Sequence, residues 1–295
     1  MQSLTISAPA KVNLFLGVGP ARPDGYHSVQ TVLHTLALAD EVTLTPADEL
    51  ALSCDIDLGI PAENNLAFRA AEAFSAAYGL DVLLDIAITK RIPAGAGLGG
   101  GSSDAAAVLV GLAHWAGLPR DEPRLRKVAA SLGADVPFLL EGGAALMDGR
   151  GDHFVRRLTP IAASVVVVRP PAPVPTAEAY RAFDAAPQPV GDMRPVTDSV
   201  RFRDVAALAA GLANNMIPAS QAVVPAIGEV LQFLRAEAGV LGATMAGSGS
   251  AVFAICVSEL DAERIARLAE QRGWWASATQ LNGEGPAVTE SELRA

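Results

Sequence analysis

The sequence predicts an α+β fold built from two lobes, and three observations support this prediction. The chain has 295 residues, about twice the ~150 residues typical of a single domain. Short alternating strands in its first part give way to helices and a glycine-rich loop. After Gly149 the composition changes to a valine strand at 165–168 and a proline-rich turn at 170–175, which we take as the start of the second lobe.

We place the first lobe at residues 1–155, the second lobe at 156–282, and a polar, mobile tail at 283–295. The first lobe opens with strands separated by prolines and glycines such as Pro9, Pro20, Pro23 and Gly25. Its predicted strands lie at 4–8, 11–18, 28–38, 41–45 and 81–90. Its predicted helices lie at 65–78, at 102–115, and from Asp121 to about Gly133.

Local signals support these helices and one strand in particular. Asn64 or Asn65 is a good N-cap for the first helix, and Gly79 is placed to end it. The helix at 102–115 is apolar nearly all round, which is typical of a buried helix. Alternation in the strand at 11–18 puts Lys11 and Asn13 together on one face.

The second lobe is predicted to mix helices and strands in the same way. Its strands are expected at 165–168, 251–257 and 274–279. Its helices are expected at 176–185, 204–212, 222–238 and 261–272.

Composition and charge exclude several classes of protein. Hydrophobic residues make up 51% of the chain and charged residues 18%, which excludes a mainly disordered protein. The net charge of −10 and the lack of any basic run argue against a nucleic-acid partner. We expect no contact with a membrane, because glycines and serines at 247–250 interrupt the longest uncharged stretch, 240–257.

The N-terminus and the cysteines indicate the compartment. The N-terminus has no basic region, and Lys11 interrupts its first apolar stretch, which argues against a signal peptide. Cys54 and Cys256 are far apart in apolar surroundings, as expected for small buried hydrophobes in a reducing cytosol. We therefore expect a cytoplasmic protein, either a monomer or a weak homodimer.

The glycine-rich loop from Pro93 to Gly101 is the most informative stretch of the chain. Its five glycines allow positive φ angles and let successive backbone N–H groups point into one concavity. The loop runs into a helix that begins with Ser102 and Ser103, and the start of that helix adds unpaired N–H groups and a partial positive charge. This combination predicts a polyphosphate site.

Three other interpretations of this loop compete with a polyphosphate site. Gly95, Gly97 and Gly100 satisfy the dinucleotide pattern, but no acidic residue follows at a strand end about 20 positions later. The P-loop pattern requires a lysine where Gly101 stands. A merely connective turn is the third alternative, although three consecutive glycines cost much chain entropy.

The motif Pro93–Ala106 resembles the second motif of the GHMP kinase superfamily, P-x-x-x-G-L-G-S-S-A-A. Its Gly-Gly-Gly-Ser-Ser version and other segments resemble most closely the members that phosphorylate a cytidine diphosphate conjugate of methylerythritol. The other matching segments are 8–16, 22–27, 133–138, 149–151, 175–177 and 245–250. The resemblance covers about residues 4–280. Residues 214–217 depart from the family's Asn-Asp-Leu-Glu, and Ala246 stands where serine is common.

The resemblance implies a fold and a reaction. The implied fold has a first lobe like ribosomal S5 domain 2 and a ferredoxin-like second lobe, with the active site in the cleft between them. The implied reaction transfers a phosphoryl group from ATP, with Mg²⁺ bound to the nucleotide, to the 2-hydroxyl of 4-diphosphocytidyl-2-C-methyl-D-erythritol (CDP-methylerythritol). The products would be the 2-phosphate and ADP, in the non-mevalonate pathway to isopentenyl diphosphate and terpenoids.

The resemblance also implies roles for individual residues. Asp135 would be the general base and Lys11 would stabilise that carboxylate or the transferring charge. Residues near the acceptor would be Asn13, Tyr26, His27, Leu33, Thr176 and Tyr180, with the two tyrosines able to stack on a base. Residues near ATP would be Asn65, Leu66, Lys90, Pro93, Ala94, Gly95, Ala96, Gly97, Leu98, Gly99, Gly100, Gly101, Ser102 and Ser103.

Each of these residues also has a purely structural interpretation. Asp135 and Asn65 could be helix N-caps, and Lys11 alone could be a solvated strand lysine. Tyr26 and His27 could flank an ordinary turn, and Tyr180 could be a helix core residue. Two other functions stay open: a homoserine or mevalonate-type kinase, and a nucleotide-binding module that has lost catalysis.

Overall fold

The structure is a computed structural model that describes residues 2–23 and 25–290. Asp24 of the 22–27 motif and residues 291–295 of the predicted tail lie outside the described residues. The first lobe is built on two long antiparallel strands, β1 (Leu4–Ala21) and β2 (His27–Pro46). Its remaining elements are β3 (Ala51–Cys54), α1 (Leu66–Tyr78), β4 (Leu84–Thr89), α2 (Gly100–Trp115), α3 (Pro123–Leu132), α4 (Val136–Glu141), β5 (Ala144–Asp148) and β6 (His153–Leu158).

The second lobe continues the same sheet. The strands β7 (Ala163–Arg169), β10 (Val252–Cys256), β9 (Val240–Met245) and β11 (Trp275–Leu281) are antiparallel neighbours. The helices are α5 (Thr176–Ala185), α6 (Arg194–Phe202), α7 (Val205–Gly211), α8 (Ile217–Val223), α9 (Ala226–Ala236) and α10 (Glu259–Glu270). Strand β11 joins the two lobes by pairing with β2 at Leu281 and Leu36.

Two short strands from the second half of the chain pair with β1. The strand β8 (Ala213–Asn214) runs parallel to Phe15 and Leu16. The strand β12 (Val288–Glu290) pairs with Leu4 to Ile6. One edge of β1 pairs with β2, and parts of the opposite edge are thus covered by residues that are distant in sequence. The prediction of a mobile tail is therefore wrong for residues 288–290.

Three apolar clusters hold this architecture together. One packs α1, α2, α3 and α4 on the first-lobe sheet, and a second packs α5, α8, α9 and α10 on the second-lobe sheet. The third lies between the lobes and includes Phe15, Val167 and Phe253, all fully buried. Helix α2 is buried continuously from Ser103 to Ala113, which confirms the prediction from its all-round apolar pattern.

Several predicted boundaries are wrong for identifiable reasons. Pro9 does not end a strand, because a register shift between Pro9 and Lys11 absorbs the proline and β1 continues. The same shift explains why the predicted gap at residues 39–40 lies inside β2. The predicted helix at 222–238 is two helices, α8 and α9, because Pro225 separates them. The elements that were not predicted are α4, α6, β3, β5, β6, β8, β9 and β12.

The predictions for the two ends of α1 are confirmed. Asn65 caps α1 by accepting a hydrogen bond from the N–H of Ala67 at 2.9 Å. Gly79 ends α1 in the left-handed conformation. Among the described residues, the helices are all too short or too polar to cross a membrane.

Candidate active site

A cavity of about 310 Å³ lies between the two lobes. Both lobes and the glycine-rich loop contribute residues to its walls. The lining residues are Lys11, Asn13, Leu16, Val29, Thr31, Gly97, Gly99, Ser102, Ala134, Asp135, Arg150, Gly151, Thr176, Tyr180, Gly247 and Ser248. Residues predicted for catalysis, nucleotide binding and acceptor binding therefore meet in one place.

Lys11 and Asp135 face each other across the floor of this cavity. Lys11 Nζ lies 3.5 Å from Asp135 Oδ2, and the two side chains are 5% and 34% exposed. Asp135 directly precedes α4, yet its side chain makes no capping hydrogen bond within the described chain. The carboxylate is therefore directed to the lysine and the cavity, so that helix capping does not explain this residue.

Asn13 links the lysine to the second lobe. Its Oδ1 accepts hydrogen bonds from Lys11 Nζ at 3.0 Å and from the N–H of Gly247 at 2.9 Å. Its Nδ2 donates to the Thr31 hydroxyl on β2 at 2.9 Å, and that hydroxyl donates to the carbonyl of Phe15 at 2.7 Å. This buried network fixes the position of the ammonium group in the cavity.

The glycine-rich loop packs directly against the late Gly-Ser turn. Gly97 has φ of +79°, and a Cβ added there would lie 2.2 Å from the carbonyl oxygen of Ala246. The N–H of Ala251 donates to the carbonyl of Ala96 at 3.0 Å. Glycine is required at position 97 because another backbone occupies the space of a side chain.

Helix α2 starts at this loop with its N-terminus in the cavity wall. Its first helical hydrogen bond runs from the N–H of Ser103 to the carbonyl of Gly99 at 2.8 Å. The N–H groups of Gly100, Gly101 and Ser102 precede that bond, as expected at a helix N-terminus that receives an anion. The Ser103 hydroxyl instead donates to the carbonyl of Pro9 at 2.7 Å, so its side chain is turned away from the predicted nucleotide site.

Two asparagines of the segment 214–217 have structural functions, and the second, Asn215, departs from the family pattern. Asn214 Nδ2 donates to the carbonyls of Met245 and Gly247 at 2.9 and 2.8 Å, which holds the late turn. Asn215 Nδ2 donates to the carbonyls of Val18 and Gln188 at 2.9 and 3.1 Å. An aspartate at position 215 could not make these donations.

Of the three predicted base-binding residues, Tyr180 lines the cavity, and His27 and Tyr26 lie beside residues that line it. Burial together with the nearby Asp135 carboxylate raises the pKa of the Tyr180 hydroxyl. His27 packs on Tyr180 with 4.9 Å between ring centroids. Tyr26 is exposed, and the guanidinium of Arg150 lies 4.7 Å from the centre of its ring.

Lys90 does not present a free ammonium group to a nucleotide. Its Nζ pairs with Asp40 and, at 2.7 Å, with Asp104, and all three side chains are buried. Asp40 also accepts the backbone N–H groups of Arg91 and Ile92, which lead into the glycine-rich loop. Burial raises the pKa of Asp104 to about 7. Lys90 therefore holds the loop entrance in place, beside Gly100.

A second cavity, of about 370 Å³, lies beside Asn65. Leu52, Leu58 and Ile60 contribute apolar walls to it. Leu66 begins α1 next to this cavity, and its Cδ1 is 4.0 Å from the position of a Cβ at Gly101. Leu33, by contrast, is buried in the first-lobe core beside Asn13, so its side chain does not line the acceptor cavity.

Sequence reasoning gave no role to several residues of the site. Thr31, Arg150 and Ser248 line the cavity, and Asp40 holds the loop entrance. The segments 149–151 and 245–250 match the family pattern, which is a signal for Arg150 and Ser248. Asp40 and Thr31 carry no local pattern, because their partners are at least sixteen residues away.

The described residues contain no cluster of three or more carboxylate, histidine or cysteine side chains that could hold a metal ion. Magnesium in nucleotide enzymes usually binds one or two carboxylates together with substrate phosphates. Asp135 and the Ser102 hydroxyl provide that smaller set of oxygen donors in the cavity. The residues present thus fit a magnesium ion that arrives with the nucleotide.

Known proteins match both lobes. Residues 65–143 match the GHMP kinases N terminal domain, and residues 197–273 match the GHMP kinases C terminal domain. Together these matches span more than half of the chain. The chain belongs to the GHMP kinase family.

Within this family, several near-full-length relatives share one name. The chain is 41% identical over 283 residues to the 4-diphosphocytidyl-2-C-methyl-D-erythritol kinase of Geobacter sulfurreducens, covering 95% of this chain and 99% of that protein. A kinase of the same name from Salinispora arenicola is 40% identical over 274 residues, covering 88% and 86%.

Solved structures agree on the fold. A crystal structure of 4-(cytidine 5'-diphospho)-2C-methyl-D-erythritol kinase is 36% identical, with a TM-score of 0.78 and coverage of 95% of this chain and 100% of that chain. A homoserine kinase from Cytophaga hutchinsonii has a TM-score of 0.76 at 19% identity, with 98% of each chain covered, and shares the fold. The α+β, two-lobe prediction is confirmed.

Proposed function

We propose that this chain transfers the γ-phosphoryl group of ATP to the 2-hydroxyl of 4-diphosphocytidyl-2-C-methyl-D-erythritol, giving the 2-phosphate and ADP. Near-full-length relatives with this name support the proposal. The observation that carries it is the Lys11–Asp135 pair, which lies between the glycine-rich loop and Tyr180 in one cavity. The reaction would belong to the non-mevalonate route to isopentenyl diphosphate, in the cytoplasm.

The nucleotide would lie along the first lobe. Its phosphates would meet the N–H groups at the start of α2, where the helix dipole favours negative charge. The cavity beside Asn65 would hold the adenine, because Leu52, Leu58 and Ile60 offer it apolar contacts. Leu66, which follows Asn65, lies near Gly101 at the start of α2. When bound, Mg²⁺ would neutralise phosphate charge, with Ser102 and Asp135 as its protein donors.

Lys11 and Asp135 would act on the reacting atoms. An ammonium has three donors. One is used by Asn13 and one faces Asp135, which leaves one for the transferring phosphoryl oxygens. Asp135 would accept the proton of the attacking hydroxyl or orient it. The lysine keeps the carboxylate in a cationic environment and stabilises charge on the phosphoryl group during transfer.

The acceptor would lie across the second lobe. Tyr180 would stack on its cytosine, with Tyr26 and His27 nearby, and Thr176 would line the path to the reacting hydroxyl. Arg150 supplies, with Lys11, the positive charge among the described residues that line the cavity. It lies between Tyr26 and the cavity, where the diphosphate of the acceptor would pass.

The test is ADP release from Mg-ATP with and without the cytidine conjugate, with homoserine and mevalonate as alternative acceptors. We expect release only with the cytidine conjugate. Asp135→Asn and Lys11→Met should each lower kcat by about 100- to 10,000-fold without unfolding the protein. The exposed residues Asp121 and Lys127 provide matched controls, Asp121→Asn and Lys127→Met, which should leave kcat unchanged. Release with homoserine or mevalonate alone would contradict the proposal.

A further inference from the structure

Asp40 is a charged residue at a core-facing position of β2. It alternates along the strand with Val42 and Leu44, which are fully buried, and its own side chain is fully buried as well. A buried carboxylate is costly unless hydrogen bonds and an opposite charge satisfy it. Packing alone would favour an apolar residue at this position, so the contacts of the carboxylate have to explain Asp40.

The two oxygens of Asp40 have different donors. Oδ1 accepts the backbone N–H groups of Arg91 at 2.6 Å and of Ile92 at 2.8 Å. Oδ2 pairs with the ammonium group of Lys90. All these donors belong to residues 90–92, which come directly before the glycine-rich loop. Asp40 therefore ties the entrance of that loop to the sheet at two successive backbone positions.

Residues 90–92 contact the first residue of α2. Ile92 is buried, and a Cβ added at Gly100 would lie 3.1 Å from Cγ2 of Ile92 and 3.3 Å from Nζ of Lys90. Gly100 begins α2, and its N–H is one of those that would meet the phosphates of the nucleotide. The backbone that Asp40 holds is thus in contact with the backbone of the proposed phosphate site.

The loop itself is poorly suited to hold one shape. Gly95, Gly97 and Gly99 have positive φ angles, and glycine loses more conformational entropy than other residues when it is ordered. A loop that is already held in its binding shape needs less ordering when a ligand arrives. Asp40 supplies such a restraint at the entrance, and the N–H of Lys11 supplies another near the exit by donating to the carbonyl of Leu98 at 2.9 Å.

We propose that Asp40 is a positioning residue for the nucleotide, whose Oδ1 holds the entrance of the glycine-rich loop in the shape that binds the phosphates of ATP. This inference rests on the proposed function, and it extends that function to a residue that lines neither of the two cavities described above. The accepting oxygen carries the inference, because Lys90 keeps Asp104 as a counter-ion when Asp40 is replaced.

The test compares two variants of the same shape and charge, Asp40→Asn and Asp40→Leu. Both remove one negative charge, but only asparagine keeps an oxygen for the N–H groups of Arg91 and Ile92. The Kd of Mg-ATP and of ADP is measured by isothermal titration calorimetry without acceptor. We expect Kd to rise about tenfold or more in Asp40→Leu and to stay within about threefold of wild type in Asp40→Asn. Loss of a negative charge should by itself strengthen anion binding, so charge does not explain a rise.

Two further measurements separate positioning from a loss of stability. In turnover assays the KM for ATP should follow the Kd, whereas the KM for the cytidine conjugate and kcat should change little in Asp40→Leu. Glu122 is the matched control in the same lobe, because its carboxylate accepts the N–H of Leu125 at 2.6 Å and the hydroxyl of Tyr78. Glu122→Met loses these contacts outside both cavities, so it should lower stability in urea unfolding and leave the Kd of ATP unchanged. Asp40→Ala takes the place of Asp40→Leu if the leucine prevents folding.

The possible results distinguish this inference from the proposed function. Equal ATP affinity in Asp40→Asn and Asp40→Leu would overturn the inference alone, because the accepting oxygen would then have no effect. An equally large loss of ATP affinity in Glu122→Met would also overturn it, since any destabilised variant would bind ATP poorly. A folded wild type that binds neither ATP nor ADP would overturn the proposed function and this inference with it.

Discussion

His34, a buried histidine on β2, should make the stability of this protein sensitive to mild acid. The side chain of His34 is fully buried. Its Nε2 accepts the N–H of Ile161 at 3.1 Å, so Nδ1 carries the proton and donates to the carbonyl of Thr35 at 2.8 Å. Burial lowers the pKa of His34 from its ordinary 6.5 to about 4. The perturbation we consider is the replacement of this histidine by the non-titrating amide in His34→Gln.

The sign and size of the effect follow from linkage. Between pH 6.5 and 4 the unfolded chain binds a proton at His34 that the folded chain does not. The stability that His34 contributes is therefore fully present above pH 6.5 and is lost as the pH falls toward 4. Lowering the pKa of His34 from 6.5 to about 4 corresponds to about 3 kcal/mol in the free energy of unfolding.

The assay is urea unfolding, followed by tryptophan fluorescence, at pH values from 7.5 to 4. Asp104 acts in the opposite direction, because its raised pKa makes stability fall as the pH rises toward 7. The quantity to compare is therefore the difference in unfolding free energy between wild type and His34→Gln, in which the contribution of Asp104 cancels. This difference should shrink by about 3 kcal/mol over the range. His114→Gln, at an exposed position, is the matched control. If the free energies of unfolding of wild type and His34→Gln change in parallel with pH, the reasoning is refuted.

Two further substitutions test the contacts between the lobes. Gly97→Ala should destabilise the fold by about 1–3 kcal/mol and raise the KM for ATP, because its Cβ would meet the Ala246 carbonyl oxygen at 2.2 Å. The control is Gly95→Ala, because Gly95 has a similar positive φ but the nearest atom to its added Cβ is 3.4 Å away. Thermal unfolding should show a smaller loss of stability in Gly95→Ala than in Gly97→Ala. Equal losses in the two variants would contradict the explanation by a clash. Asn215→Asp should cost about 1–3 kcal/mol in urea unfolding, because the carbonyls of Val18 and Gln188 lose their donor. The control is Asn282→Asp, which keeps an oxygen to accept the N–H of Glu284 and should therefore change the free energy of unfolding little. A similar loss of stability in both variants would argue against the explanation by lost donors.

Much of the site was predictable because its signals are local. The glycine-rich loop, the buried helix after it and the cap at Asn65 each depend on a few neighbouring residues. The Lys11–Asp135 pair was predicted only through a family resemblance, since 124 positions separate two residues that carry no shared pattern. The structure adds that Asp135 does not cap α4, a question that the sequence had left open.

The errors have a common physical origin in long-range contacts. The ion pair of Lys90 was not predicted because Asp40, its partner, is 50 residues away in sequence. The tail looked mobile because its polar composition does not show that residues 288–290 pair with the other end of the chain. Pro9 looked like a strand end because a register shift depends on the partner strand and leaves no mark in the local sequence.

The pairing of β1 with β12 and β8 has a consequence for synthesis of the chain on the ribosome. The strand that is made first, from Leu4 to Ala21, receives neighbours that are made much later, at residues 213–214 and 288–290. Until those residues emerge, the edge of β1 opposite β2 is exposed to other chains. The first lobe can therefore complete its sheet only when nearly all of the protein has been translated. A chain that terminates early, at Asn282, would keep the cavity residues and still carry an open edge.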